Sequence, residues 1–269
     1  MPEIKITELN IYPVKSCRKI SLDHSLVESF GLQHDRRWML VDEQGTMITQ
    51  RQKSRLCLIQ PTLTDNGITV QAVGFPDLMI NMPVNESLQQ VTVWNDDCQA
   101  YDAGDEAASW FSEFLSVNCR LVYFPDTEFR QVDLNYAKKG ERIAFSDGFP
   151  LLLISESSLD DLNQRLILEQ QPPITMNRFR PNLVVSGCDA FAEDDWKKMR
   201  IGDITFRIVK PCSRCVIPNI DIDTGKRSNE PAKTLSTYRR RDNALYFGQN
   251  VIAENKGELT IGMPVEIIE

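Results

Sequence analysis

Ile59-Gln-Pro-Thr-Leu-Thr-Asp-Asn-Gly-Ile-Thr-Val-Gln-Ala-Val73 is the stretch on which the fold reading turns. Asn66-Gly67 stands between two β-type runs, residues 59–63 and 68–73. Asn-Gly is a strong hairpin signal, because both central residues of a type I′ turn need positive φ. The flanking sequence reads the same way. Ile4 and Ile6 alternate with polar residues, as on a half-buried strand. Residues 38–41 and 47–49 flank Glu43-Gln44-Gly45, a second hairpin loop. Val91 and Val93 mark a further strand that ends at Asn95-Asp96-Asp97.

Helical spacing interrupts this pattern twice. From Asp105 onward, Ala107, Trp110, Phe111, Phe114 and Leu115 fall at i, i+3, i+4, i+7 and i+8, one apolar face of a helix. A second helix follows Ser155, with Leu159, Leu162 and Leu166 on one side and Pro172-Pro173 as its stop. Beyond it, residues 199–209 and 259–268 share an Ile-Gly turn followed by alternation, and read as similar strand corners. Strands broken by a few helices predict a mainly β (α+β), barrel-like fold. A weak boundary lies at residues 120–140, which divides the chain into residues 1–122 and 123–269.

The formal net charge is −8 over 269 residues. An acidic balance weighs against nucleic-acid binding, which needs Lys and Arg gathered on one face. It leaves room for a small basic pocket. No run approaches the roughly 20 apolar residues of a membrane span, and the N-terminus does not read as a signal peptide. Seven scattered cysteines are no secreted disulfide framework. The expected compartment is the reducing cytoplasm, with no membrane and no nucleic acid as partner.

Pro211-Cys-Ser-Arg-Cys215 is the sharpest chemical feature. A Cys-x-x-Cys pair serves as half a zinc site, as a redox dithiol, or as one metal ligand beside a structural thiol. Zinc needs two further ligands, yet neither of the two histidines has metal-motif spacing. A thioredoxin-like dithiol sits at a helix start, whereas this pair follows a β-like run and Pro218 comes next. Arg214 adds a cation beside the thiols, and a cation stabilises a thiolate. Cations also stand near turns in Lys15-Ser16, Arg36-Arg37 and Arg178-Phe179-Arg180. Arginine suits bidentate phosphate binding, while each segment alone also reads as solvated surface charge. There is no Gly-rich nucleotide loop and no Gly-x-Ser-x-Gly elbow. Asp221-Ile-Asp-Thr-Gly225 lacks calcium-loop spacing and reads as a turn.

Taken in order, Tyr12-Pro-Val-Lys-Ser-Cys17, Asp35-Arg-Arg-Trp38, Ala144-Phe-Ser-Asp147, Phe179-Arg-Pro-Asn182, Ser186-Gly-Cys188, Cys212-Ser-Arg-Cys215, Asp221-Ile-Asp-Thr-Gly225, Thr234-Leu-Ser-Thr-Tyr-Arg239 and Phe247-Gly-Gln249 resemble the MOSC (molybdenum cofactor sulfurase C-terminal) family. The likeness is to its branch with an N-terminal β-barrel region, that of the amidoxime-reducing components, and it covers essentially the whole chain. It implies a MOSC β-barrel domain after an N-terminal β-barrel-like region. It implies the molybdenum cofactor, with Cys215 as metal ligand and catalytic centre. Pterin and phosphate contacts are implied at Lys15, Ser16, Arg36, Arg180, Ser213 and Arg214. Gly148-Phe149 and Asn250 depart from the pattern, which has small hydroxyl residues and a Tyr there.

The activity implied is molybdenum-dependent reduction of N-hydroxylated small molecules by N–O cleavage. Electrons would come from a separate ferredoxin-like or reductase protein. The alternative is a non-catalytic carrier of the cofactor, or of sulfur as a Cys215 persulfide. A third reading is a structural zinc or dithiol protein. Loss of Arg36 or Arg180 is expected to weaken cofactor retention with little effect on folding.

Overall fold

The computed structural model describes residues 3–84 and 87–269. As the alternation predicts, the chain is mainly β. The dominant sheet has nine strands. Its path runs Ile20–Leu22, Lys5–Ile11, Leu183–Ser186, Leu151–Ser155, Ala244–Ala253, Ile204–Ser213, Lys198–Ile201 and Val265–Ile267, with Arg240–Arg241 paired off the path. The sheet curls until its last strand meets the start of Lys5–Ile11. Val265 N donates to Ile4 O at 2.8 Å and Ile6 N donates to Met263 O at 3.0 Å. Ile6, Leu9, Leu153, Leu183, Phe206 and Val251 fill the interior, each at most 1 % exposed. Near-closure of this kind hides the backbone edges that an open sheet would present.

A five-stranded sheet and a three-stranded one carry most of the first half. Helix α1, Asp105–Leu115, closes this part, and Ala107, Trp110, Phe111, Phe114 and Leu115 are all buried, as their spacing requires. Phe111 and Phe114 each contribute about 1.5–3 kcal/mol of burial. Asp105 and Glu106 in the first turn complement the helix dipole, and Ser116 ends the helix in the left-handed region. Helix α2, Glu156–Leu168, starts at a Ser155 cap whose side chain accepts from Ser158 N. It stops four residues before Pro172.

Two local readings need correction. The hairpin at Asn66-Gly67 forms, but Thr64 pairs with Gly67, so the two loop residues are Asp65 and Asn66. Glycine stands at 67 for another reason. A Cβ there would sit 2.1 Å from Ile80 O on the neighbouring strand. The Ile-Gly segments also differ. Residues 199–209 form a plain hairpin through Gly202, whereas residues 259–268 carry the chain from one sheet to another. The strand Asp96–Asp102, unexpected from sequence, pairs with Leu88–Val93 across a Trp94-Asn95 loop.

The sheets do not respect a division at residue 122. Lys5–Ile11 and Ile20–Leu22 lie in the nine-stranded sheet, and His24–Glu28 pairs with Gly257–Thr260. Lys15 and Ser16 lie four and five residues beyond a barrel strand, Lys5–Ile11, and are thereby carried against the C-terminal half. No helix among the described residues is long and apolar enough to cross a membrane.

Candidate functional site

One cavity of about 410 Å³ gathers Lys15, Ser16, Arg36, Arg180, Ser213, Arg214 and Cys215, all seven residues singled out from sequence. Gly148, Phe149 and Asn250, where the sequence departs from the family pattern, line it too. Arg51, Trp94, Asp147 and Lys210 also line it and were not singled out. Six lining side chains are cationic and one, Asp147, is a carboxylate. A basic pocket inside an acidic chain focuses positive potential at one place.

The backbone presents these side chains through strained turns. Ser16, Arg36, Trp94 and Arg180 have φ of 72°, 50°, 58° and 60°. Left-handed conformations at non-glycine residues cost about 1–3 kcal/mol each and persist only where packing over-determines them. The packing here is visible. Arg36 N donates to Tyr12 O and Phe145 N donates to Arg36 O, both at 3.0 Å. Gln50 N donates to Ser16 Oγ at 3.2 Å, and Gln50 Nε2 donates to Ser16 O at 2.6 Å.

At one end, two guanidiniums lie against the Tyr12 ring, Arg36 4.7 Å and Arg180 4.1 Å from its centre. Arg36 is paired with the buried carboxylate of Asp35 and donates to Asn182 Oδ1 at 3.1 Å. Arg180 donates to Cys17 O at 2.7 Å. Burial pulls the Arg180 pKa down, with Arg36 adding repulsion. Arg51 Nη1, Arg180 Nη2 and Arg214 Nε are buried without an acceptor. Each of these guanidiniums lies over an aromatic ring, of Trp94, Tyr12 and Phe179 respectively.

At the other end, Cys215 is exposed and Cys212 half-buried. The sequence reading put Arg214 beside Cys215 as its cation. Instead Arg214 Nη1 donates to Cys212 Sγ at 3.1 Å and Nη2 to Phe179 O at 2.6 Å. The cation on Cys215 is Arg51, whose Nη2 lies 3.3 Å from Sγ and 3.0 Å from Asp147 Oδ2. The strand ends at Ser213, and Arg214 just beyond it turns back to Cys212, two residues before it. Nothing local distinguishes Arg51 from Lys53 or Arg55 in Arg51-Gln-Lys-Ser-Arg55, so sequence had no handle on it. The zinc reading finds no support: among the described residues, no group of three or more His, Cys, Asp or Glu side chains converges as a metal cage. Asp221 behaves as the turn it was read to be, with Oδ1 accepting from Thr224 N at 2.9 Å.

Asp147 links the two ends, since its other oxygen takes the Lys15 ammonium. Burial raises the Asp147 pKa, but Lys15 and Arg51 outweigh it and hold the carboxylate well below its usual range. Lys15 also donates to Phe145 O at 2.6 Å. Burial brings its pKa down to about 8, against the pull of Asp147. The cavity thus has its full positive charge below pH 8 and loses one charge as pH rises through it. Sulfate, whose charge is constant in this range, is therefore expected to bind progressively more weakly above pH 8. The slope can approach about tenfold per unit, the limit for one linked proton. Calorimetric titration at pH 7 to 9.5 checks this, and Lys15→Met should flatten the profile.

The fold and this site define a β-barrel protein with a cationic, thiol-bearing cavity shared by both halves of the chain. Comparison with known proteins gives that class its family. The MOSC N-terminal beta barrel domain matches residues 3–118 and the MOSC domain matches residues 140–266. The chain belongs to the MOSC family in this two-part form, as the ordered motifs led one to expect. Its similar relatives include mitochondrial amidoxime-reducing component 1 of Mus musculus, 38 % identical over 98 % of this chain and 82 % of that protein. The Homo sapiens counterpart is 37 % identical with the same coverage. Mitochondrial amidoxime reducing component 2 of Rattus norvegicus is 38 % identical over 97 % of this chain and 82 % of its own.

Proposed function

We propose that this chain is a molybdenum-cofactor-dependent reductase of N-hydroxylated compounds, with Cys215 as the protein ligand to the metal. The observation that carries the reading is the cavity itself, in which six cations and one carboxylate surround an exposed thiol. Its volume falls in the range of sites for small organic ligands. The donors suit a phosphorylated pterin bearing a soft metal: guanidiniums and an ammonium for the anion, and a thiolate for molybdenum. The relatives are named for reducing amidoximes, which are N-hydroxylated.

In this reading Lys15, Ser16, Arg36, Arg180, Ser213 and Arg214 hold the pterin and its phosphate, and Cys215 holds the metal. When bound, the cofactor supplies a two-electron centre suited to taking oxygen from an N–O bond. The chain does the rest. The Tyr12 ring holds Arg36 and Arg180 in place before any anion arrives, which lowers the ordering cost of binding. Arg51 supplies a positive donor to the Cys215 sulfur and anchors Asp147. Asp147, held ionised, neutralises part of the surplus charge and keeps Lys15 and Arg51 apart by bonding one with each oxygen. Reduction of N–OH to N–H with release of water takes two electrons and two protons. We assign the electrons to a separate donor protein, ferredoxin-like or a reductase.

The direct test is analysis of protein purified from cells replete in molybdenum. About one molybdenum and one pterin per chain are expected, together with reduction of benzamidoxime to benzamidine by an artificial donor. A Cys215 persulfide recovered without molybdenum, on protein that reduces nothing, would make the chain a sulfur carrier instead.

A further inference from the structure

Of the four tryptophans, Trp38, Trp110 and Trp196 are buried and Trp94 is 45 % exposed. Trp94 also lines the cavity. It occupies the loop between Leu88–Val93 and Asp96–Asp102 with φ of 58°, a conformation poorly suited to a bulky side chain. A small residue or Asn would hold this loop at less cost, so the ring is retained against local preference. One face of it carries Arg51, whose guanidinium carbon lies 4.5 Å from the ring centre. That guanidinium donates to Cys215 Sγ at 3.3 Å. The sulfur therefore lies within about 9 Å of the ring, those two contacts extended by one C–N bond.

We propose that Trp94 and Arg51 form the substrate platform beside Cys215, selecting N-hydroxylated compounds whose N–O-bearing group is attached to a planar aromatic ring. This rests on the reductase reading and adds the substrate class. The substrate ring stacks on the open surface of Trp94, and the N–O oxygen accepts from the Arg51 guanidinium next to Cys215. Stacked aromatic pairs hold a preferred offset geometry, so the platform orients as well as attracts. Asp147 accepts from the same Arg51 nitrogen that donates to Cys215 Sγ, which holds that nitrogen beside the sulfur.

The test compares benzamidoxime with acetamidoxime on cofactor-loaded protein. Trp94→Asn removes the ring while tolerating the left-handed backbone, and Trp94→Phe keeps an aromatic face. The ratio of kcat/KM for benzamidoxime over acetamidoxime should fall about tenfold in Trp94→Asn and stay close to wild type in Trp94→Phe. Benzamidoxime should also shield the exposed tryptophan from acrylamide quenching, a signal that Trp94→Phe removes and acetamidoxime does not produce. An unchanged ratio in Trp94→Asn, with both compounds reduced, overturns the platform and leaves the reductase reading standing. Shielding by benzamidoxime without turnover of either compound does the reverse.

Discussion

Cys215→Ala should bring reduction of N-hydroxylated substrates to background, while Cys212→Ala keeps activity within about tenfold of wild type, the effect expected beside a metal ligand rather than on it. The two sulfurs are three residues apart in sequence and lie in different environments. Cys215 is exposed in the cavity and takes a hydrogen bond from Arg51. Cys212 packs against the cluster that contains Phe179 and Phe247, and takes its bond from Arg214. Truncating Cys212 leaves a void of about one sulfur atom, worth roughly 1 kcal/mol, and frees one Arg214 donor. Molybdenum content, measured beside activity, should vanish with Cys215 and survive without Cys212. Equal loss in both variants would return the pair to a dithiol or shared-metal role.

Arg36→Ala and Arg180→Ala should fail in different ways, which revises the expectation that both spare folding. The Asp35 side chain has no exposure, and it accepts from Tyr12 N at 2.8 Å besides its pairing with Arg36. Removing Arg36 strands that carboxylate, at a cost of about 3–5 kcal/mol. The denaturation midpoint should drop accordingly, and Asp35→Asn in the same chain should restore much of it without restoring anion binding. Arg180 has no carboxylate partner among the described residues; its contacts are Cys17 O and the Tyr12 ring. Arg180→Ala should fold normally and lose the free energy of one charge-assisted bond to the bound anion, about 1.5–3 kcal/mol. Thermal unfolding and sulfate binding, measured on both variants, separate the two cases. Unchanged anion binding in Arg180→Ala would remove that residue from the site.

Sequence disclosed elements whose information is local. The apolar spacing of helix α1 and the start of α2 after Ser155 are carried by neighbours in the chain, and both proved as read. The Asp65-Asn66 turn was misplaced by one residue because the demand for glycine comes from Ile80, a strand away. The seven site residues were legible only as an ordered set of motifs, since each segment by itself looks like surface charge. Arg51 and Trp94 belong to no such motif. What marks them is a contact spanning 164 residues, Arg51 to Cys215, and a ring that the tertiary structure leaves uncovered.

The threading of Lys5–Ile11 beside Leu183–Ser186 sets an order on events at the ribosome. Lys5–Ile11 gains this partner only after more than 170 further residues have been polymerised. At roughly 5–20 residues per second that is a wait on the order of ten to thirty seconds. Throughout it, Ile6, Leu9 and Ile11, all destined for the barrel interior, have no finished barrel to enter. The near neighbour Ile20–Leu22 can pair with Lys5–Ile11 during that interval, while the other edge of that strand waits for the second half of the chain.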